Sequence, residues 1–190
     1  MPATTLDPRT ALVLIDLQNG ILGLPTVTPS ADVLGQGARL AEAFRAKGLP
    51  VVLVRVGWSQ DGGDLPVGRS DAGRMAAAPP AAFSEFPAEL GPQDGDIVIT
   101  KHHWGAFTGT ELDLQLRRRG VTQIVLAGIA TSIGVESTAR SAWELGYHLT
   151  LVEDACTDTN AEAQASSLKN IFPRLSEVDT TDRVIELLSA

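Results

Sequence analysis

Residues 124–140, IVLAGIATSIGVESTAR, combine an aliphatic run, a turn with glycines and the start of a helix. A run without polar alternation is typical of a strand buried on both faces of a parallel sheet. Gly128 and Gly134 permit close backbone approach, either for tight packing of helix on sheet or for a ligand at the helix-start amides. The spacing matches neither a dinucleotide-binding nor a phosphate-binding loop. The segment therefore predicts a buried strand followed by a helix over residues 132–145, with the role of the glycines open.

Short aliphatic runs of the same kind recur along the chain, with helical patterns between them. The runs cover residues 11–15, 51–54, 97–99, 124–127 and 149–152, with a weaker one at 175–178. One helical pattern ends near Gly48, and another covers residues 161–172 and ends at Pro173. This alternation predicts an α/β fold with an open parallel sheet and helices on both faces. In such sheets, ligands bind at the carboxyl ends of the strands, near the point where the strand order reverses.

Composition limits the class of protein. The chain has 190 residues, 44% of them hydrophobic and 20% charged, which predicts one globular domain over residues 1–190. A net charge of −8 disfavours nucleic-acid and membrane binding, because an acidic surface repels phosphate backbones and anionic lipids. No signal peptide or membrane-spanning run is evident, so we expect a cytoplasmic protein. The single cysteine, Cys156, excludes an intrachain disulfide and a metal site built from several thiolates.

Two predicted strand ends carry polar residues of the types that take part in catalysis or substrate binding. Asp16 follows the first run, where partial burial raises the pKa of a carboxyl group and suits it to proton transfer. An equally good interpretation is that Asp16 caps the following turn. Lys101 follows the third run, where it holds a nearby carboxylate ionised, binds an anionic substrate group or extends to solvent. His102 and His103 project to opposite sides of an extended chain, so we predict polar loop residues and not ligands of one metal.

Three other features have both a functional and a structural interpretation. Trp104 and Phe107 either wall a pocket or simply pack, and packing is the commoner role for a single aromatic residue. Cys156 is predicted to lie in a loop after the fifth run, as a packing residue and not a nucleophile. Residues 57–92 contain six glycines and five prolines. A connection this long predicts a lid, a pocket wall or an arm to another subunit more than an idle loop.

Three separated segments together resemble the isochorismatase-like hydrolases. They are IDLQN at residues 15–19, Lys101 with WGAF at residues 104–107, and GIATSIGVESTAR at residues 128–140. GY at residues 146–147 and EDA at residues 153–155 fit as well. The resemblance covers nearly the whole chain. Within the family, the chain is most similar to an uncharacterised subgroup that lacks the catalytic cysteine. The resemblance implies a three-layer α/β/α fold with a six-stranded, mostly parallel, doubly wound sheet.

In most members of that family an aspartate, a lysine and a cysteine hydrolyse an amide. The resemblance places the acid/base on Asp16, the lysine position on Lys101 and the nucleophile position on Gly134, which has no thiol. It also implies a cis peptide bond before Ala130, which with the amide of Gly134 would form an anion-binding nest. The positions expected to contact substrate are Gln18, Trp58, Trp104, Phe107, Ile129, Ala130, Thr131 and Ile133.

Two functions stay open on this resemblance. The first is hydrolysis of a small molecule without a cysteine nucleophile, as in the family branch that carries glycine at this position and cleaves a vinyl ether by protonating its methylene carbon. Ile15, however, stands where that branch typically has histidine. Candidate cations for a dicarboxylate substrate are Arg55, Arg69 and Arg74. The second function is a catalytically inactive homologue that binds a small molecule.

The resemblance also bears on cofactors and assembly. The metal site of some members needs a D-x-H pattern after the second strand, and residues 57–60 read GWSQ instead. We therefore expect no metal and no other cofactor. Members of the family usually assemble, so a homodimer or a higher homo-oligomer is expected, with residues 57–92 as the candidate contact.

Overall fold

The computed structural model describes residues 2–71, 73 and 75–189. The strands are β1 Thr10–Ile15, β2 Val51–Val56, β3 Ile97–Lys101, β4 Gln123–Ile129, β5 His148–Thr157 and β6 Glu177–Asp179. The helices are α1 Asn19–Leu22, α2 Ser30–Ala46, α3 Leu112–Arg118, α4 Glu136–Glu144, α5 Ala161–Ser166, α6 Phe172–Leu175 and α7 Thr181–Ser189. Short 3₁₀ turns cover Ala81–Ser84 and Ala88–Leu90, and π turns cover Thr131–Val135 and Ser167–Ile171. Within these ranges no helix is long and apolar enough to cross a membrane.

The six strands form one parallel sheet in the order β3-β2-β1-β4-β5-β6. This confirms the predicted α/β fold with a six-stranded parallel sheet. Helix α2 packs against α7, and α4 packs against α6, which gives the sheet its two helical layers. Every residue of β1 is buried, because the central strand is covered on both faces. The strand order reverses at β1 and β4, so the carboxyl ends of these two strands are the expected ligand-binding edge.

Glycine brings β4 close to β1 at this edge. Gly128 pairs with Ile15 in the β1–β4 register and has a φ of 131°. A Cβ atom at position 128 would collide with the backbone of Ile15. Position 128 therefore requires glycine both for its conformation and for the close approach of the two strands.

Two boundaries differ from the sequence prediction. Pro173 does not end the helical segment, which continues through a π turn into α6 at Phe172–Leu175. Proline is tolerated there because it stands in the first turn of α6, where its missing N–H group needs no helical partner. Cys156 does not lie in a loop, because β5 continues to Thr157 and pairs Cys156 with Gly128 after a register shift. The pairing of β5 is irregular, and its second half contains Glu153 and Asp154, so no uninterrupted apolar run marks that half of the strand.

Candidate active site

Asp16 leaves the sheet at the end of β1. Its amide N–H donates to the carbonyl of Val54 as the last bond of the β1–β2 ladder, at 2.9 Å. Its own φ is 53°, in the left-handed region that a non-glycine residue rarely adopts. The chain therefore turns sharply, and the Asp16 side chain faces the carboxyl edge of the sheet. Such strained positions are often found at functional sites.

Lys101 is the last residue of β3 and reaches the same edge. Its Nζ lies 2.7 Å from Oδ2 of Asp16, and the two side chains are 3% and 7% exposed respectively. Nζ also donates to the carbonyl of His103 at 3.1 Å. The second carboxylate oxygen of Asp16, Oδ1, is buried and has no hydrogen-bond partner among the described residues. The ion pair with Lys101 thus uses Oδ2 of Asp16 and leaves Oδ1 available to a bound molecule.

Burial sets the protonation of this carboxyl group. Removal from water raises the pKa of Asp16 from 3.8 to about 6, and the positive charge of Lys101 opposes that rise. Asp16 therefore exchanges a proton near neutral pH, which suits a general acid or base.

The pair opens into a cavity of about 530 Å³ at the carboxyl edge. The predicted site residues on its wall are Asp16, Trp58, Lys101, Trp104, Ile129, Ala130, Ile133 and Gly134. A larger groove of about 680 Å³ lies at the amino end of β5. That groove does not include the Asp16–Lys101 pair, so the smaller cavity is the candidate active site.

Gly134 borders Asp16 at the beginning of the α4 segment. A Cβ atom there would lie 3.3 Å from Oδ2 of Asp16 and 3.0 Å from Cγ2 of Ile15. A side chain at position 134 would therefore project towards the Asp16 carboxyl group, and its absence leaves that space to the cavity. The peptide bond between Ile129 and Ala130 is cis, as the family resemblance implied.

Three predicted contact residues do not line the cavity. Gln18 is fully buried and its side-chain amide bonds to the backbone of Val56 and Phe83. Phe107 stacks on Tyr147 with the ring centroids 5.9 Å apart. Thr131 is buried at the start of the π turn, with no hydrogen-bond partner for its hydroxyl group among the described residues. Each follows a strand in sequence, but the turns that follow β1, β3 and β4 direct these side chains into the protein.

The sequence prediction missed several residues of the cavity wall. His102 and His103, predicted as polar loop residues, both line the cavity. His102 donates from Nδ1 to the carbonyl of Gly57 at 2.5 Å and lies 3.7 Å from Asp64. Their position after β3 was the available signal. The other residues missed are Ile21, Leu24, Val56, Pro66, Met75 and Thr159. Pro66 and Met75 belong to the long connection of residues 57–92, so part of that segment is a pocket wall.

The predicted cations are not assembled around the cavity. Arg55 donates to the Thr100 hydroxyl group at 3.0 Å and lines a separate groove. Arg69 is exposed and is not part of the cavity wall. Arg74 lies outside the described residues. Binding of a dicarboxylate by Arg55 and Arg69 is therefore not supported.

Thiol and metal chemistry have few candidates in the described residues. Cys156 is buried, and burial raises the pKa of its thiol to about 12, which disfavours the reactive thiolate. No cluster of three His, Cys, Asp or Glu side chains with metal-binding geometry occurs in the part of the chain that the structure describes.

The chain is similar to known proteins over most of its length. The isochorismatase domain matches residues 10–183. The uncharacterized isochorismatase family protein YecD of Escherichia coli O157:H7 is 49% identical over 180 residues, which make up 94% of this chain and 96% of that protein.

Two solved structures share the fold over nearly the full length. An isochorismatase family protein from Burkholderia thailandensis superposes with a TM-score of 0.95 at 48% identity, covering 98% of each chain. N-carbamoylsarcosine amidase from Thermoplasma acidophilum superposes with a TM-score of 0.76 at 30% identity, covering 92% of this chain and 97% of that one. The sheet, the site at its carboxyl edge and these relatives together show that the chain belongs to the isochorismatase family.

Proposed function

We propose that this protein hydrolyses a small molecule by acid–base chemistry, with Asp16 as the proton donor and acceptor and Lys101 as its charge partner. The observation that carries the proposal is the buried 2.7 Å ion pair at the cavity, in which Oδ1 of Asp16 has no partner among the described residues. A free oxygen on a carboxyl group with a pKa of about 6 can give a proton to a substrate and take one from water.

The position of Gly134 argues against covalent catalysis. Most relatives are expected to use a cysteine there, and the only cysteine of this chain is buried in β5. Without a thiol at that position, the site suits a substrate that protonation alone activates. A vinyl ether meets this requirement, because its methylene carbon accepts a proton and the adjacent oxygen stabilises the cation that forms.

In the proposed reaction, Oδ1 of Asp16 transfers its proton to the methylene carbon, and the double-bond electrons form the new C–H bond. The ether carbon becomes an oxocarbenium ion, and Lys101 balances the charge of the carboxylate that remains. Water adds to the cation and returns a proton to Asp16. In the resulting hemiketal the bond from carbon to the ether oxygen breaks, and the hydroxyl proton passes to the departing oxygen, which gives a ketone and an alcohol. The wall of the cavity around this reaction is mostly apolar and includes Trp58, Trp104 and Ile133.

Incubation of the purified protein with vinyl ethers, esters and amides in D₂O tests the proposal. Protonation at carbon places one deuterium in the methyl group of the ketone, which NMR detects. Asp16→Asn should lower turnover at least about 100-fold, whereas Cys156→Ser, which does not line the cavity, should not change it. Turnover should fall as pH rises above about 6, because the proton donor is lost.

Unchanged turnover in Asp16→Asn contradicts the mechanism, and a large loss in Cys156→Ser shows that a thiol takes part. A cavity that binds compounds from all three classes but converts none supports the alternative, a catalytically inactive homologue that binds a small molecule. The absence of a thiol at Gly134 is the observation that favours this alternative.

A further inference from the structure

Strand β2 extends further than its neighbour β1. The ladder bonds from Leu12 N to Pro50 O and from Asp16 N to Val54 O show the regular alternation of a parallel pair. One step further, the N–H of Val56 would donate to residue 16, and the carbonyl of Val56 would accept from residue 18. The chain has turned away by then, because Asp16 adopts a φ of 53°. Among the described residues, Val56 therefore has no backbone hydrogen-bond partner on the β1 side.

The side chain of Gln18 supplies both missing bonds. Its Oε1 accepts from Val56 N at 2.7 Å, and its Nε2 donates to Val56 O at 2.9 Å. The backbone carbonyl of Gln18 meanwhile accepts from Ile21 and Leu22 and starts α1. A side-chain amide has the same donor and acceptor groups as the peptide that it replaces.

Val56 connects the side-chain amide of Gln18 to Lys101, the second residue of the ion pair. Val56 stands opposite Lys101 in the β2–β3 register, and the next residue, Gly57, donates its N–H to the carbonyl of Lys101 at 3.1 Å. Gln18 thus links the corner that carries Asp16 to the strand pair that carries Lys101.

Gln18 also ties down the end of the long connection. Its Nε2 donates to the carbonyl of Phe83 at 3.0 Å, and the neighbouring Asn19 N–H donates to Glu85 O at 2.9 Å. The hydroxyl group of Ser84 donates to Val56 O at 2.9 Å. These bonds fix the returning part of residues 57–92 to the edge that holds the cavity.

We propose that Gln18 is a positioning residue whose side-chain amide stands in for the missing β1 backbone and sets the spacing between Asp16 and Lys101. Gln18 does not line the cavity, and its side-chain hydrogen bonds among the described residues go to Val56 and Phe83 and not to Asp16 or Lys101, so it acts through Val56. The proposal deepens the acid–base function above and rests on it for its catalytic meaning, but the geometry can be tested without a substrate.

The test measures the titration of Asp16 by NMR of ¹³C-labelled aspartate carboxyl groups in the full chain, with Asp16→Asn to assign the signal. Gln18→Met removes the amide and keeps the length and burial of the side chain. Since burial persists while Lys101 is held less closely, the pKa of Asp16 should rise by about half a unit or more.

Gln123→Met is the matched control. Gln123 is also buried, and its amide also makes three bonds, to Asp7 N, Thr5 O and Thr150 Oγ1, but it lies at the amino end of β4. Gln123→Met should lower the free energy of unfolding in urea to a similar degree as Gln18→Met and leave the pKa of Asp16 unchanged. If Gln18→Met does not fold, Gln18→Asn withdraws the amide by one methylene group, and the same rise is expected.

An unchanged Asp16 titration in a folded Gln18 variant overturns the proposal and leaves Gln18 with a role in stability alone. An equal rise in Gln123→Met overturns it as well, because the effect is then not local. Neither outcome depends on turnover, so failure of this proposal is distinct from failure of the acid–base mechanism, which the Asp16→Asn activity assay decides.

Discussion

The burial of Asp16 makes the stability of the protein depend on pH in a definite direction. A carboxyl group whose pKa is raised in the folded state holds its proton more tightly when folded than when unfolded. Its contribution to stability is therefore complete below the unfolded value of 3.8 and is lost as pH rises through about 6. A difference of about 2 pKa units corresponds to about 3 kcal/mol of unfolding free energy.

Urea unfolding of the wild-type protein and of Asp16→Asn across this pH range isolates the contribution of Asp16, because asparagine does not titrate. The stability of the wild type relative to the variant should decrease by about 3 kcal/mol over the whole window, mostly between pH 4 and pH 7. Lys101→Met serves as a second variant. It removes the charge that lowers the folded-state pKa of Asp16, so the decrease should begin at the same pH, become larger and extend to higher pH.

A constant stability difference between wild type and Asp16→Asn from pH 4 to pH 7 would refute this reasoning. An increase with pH would do the same, since it would mean that the ion pair with Lys101 outweighs burial and lowers the pKa of Asp16. Either result would also remove the physical basis for Asp16 as a proton donor near neutral pH.

Two substitutions of glycine test the geometry of the same edge. Gly134→Cys places a side chain next to Oδ2 of Asp16, so it should introduce amide hydrolysis and a thiol that iodoacetamide alkylates, at a stability cost of about 1–3 kcal/mol from the close contact with Ile15. Peptide mass spectrometry should find Cys156 unmodified, and the absence of both reactivities would contradict the proposed placement of position 134. Gly128→Ala should destabilise the fold by about 4 kcal/mol or prevent folding, because its Cβ meets the backbone of Ile15. Gly48→Ala, at a φ of 66° with open space around it, should cost only about 1 kcal/mol in urea unfolding, and equal costs would show that strand contact is not the cause.

The amino-acid sequence carried most of the information about the strands and about which residues follow them. Runs such as residues 11–15 and 51–54 are apolar throughout because both faces of a central parallel strand are buried. This pattern is local, so it can be read without knowing the partner strands. It failed for the second half of β5, where the register shift places Asp154 and Cys156 in a strand that no uninterrupted apolar run indicates.

The site depended on contacts that local sequence does not encode. Asp16 and Lys101 were each identified at a strand end, but their 2.7 Å contact requires β2 to lie between β1 and β3. The direction of a side chain after a strand depends on the turn that follows. Trp104 therefore reaches the cavity, whereas Phe107 stacks on Tyr147.

Gln18 shows most clearly the difference between what the sequence indicates and what the tertiary structure decides. The family resemblance predicts that Gln18 contacts substrate, and nothing in the sequence indicates that its amide completes a strand pair. Periodicity and residue type determine which segments are buried, because burial of apolar surface follows the pattern of each segment. Strand order and turn geometry decide which distant side chains meet, because these depend on pairing between segments far apart in the chain.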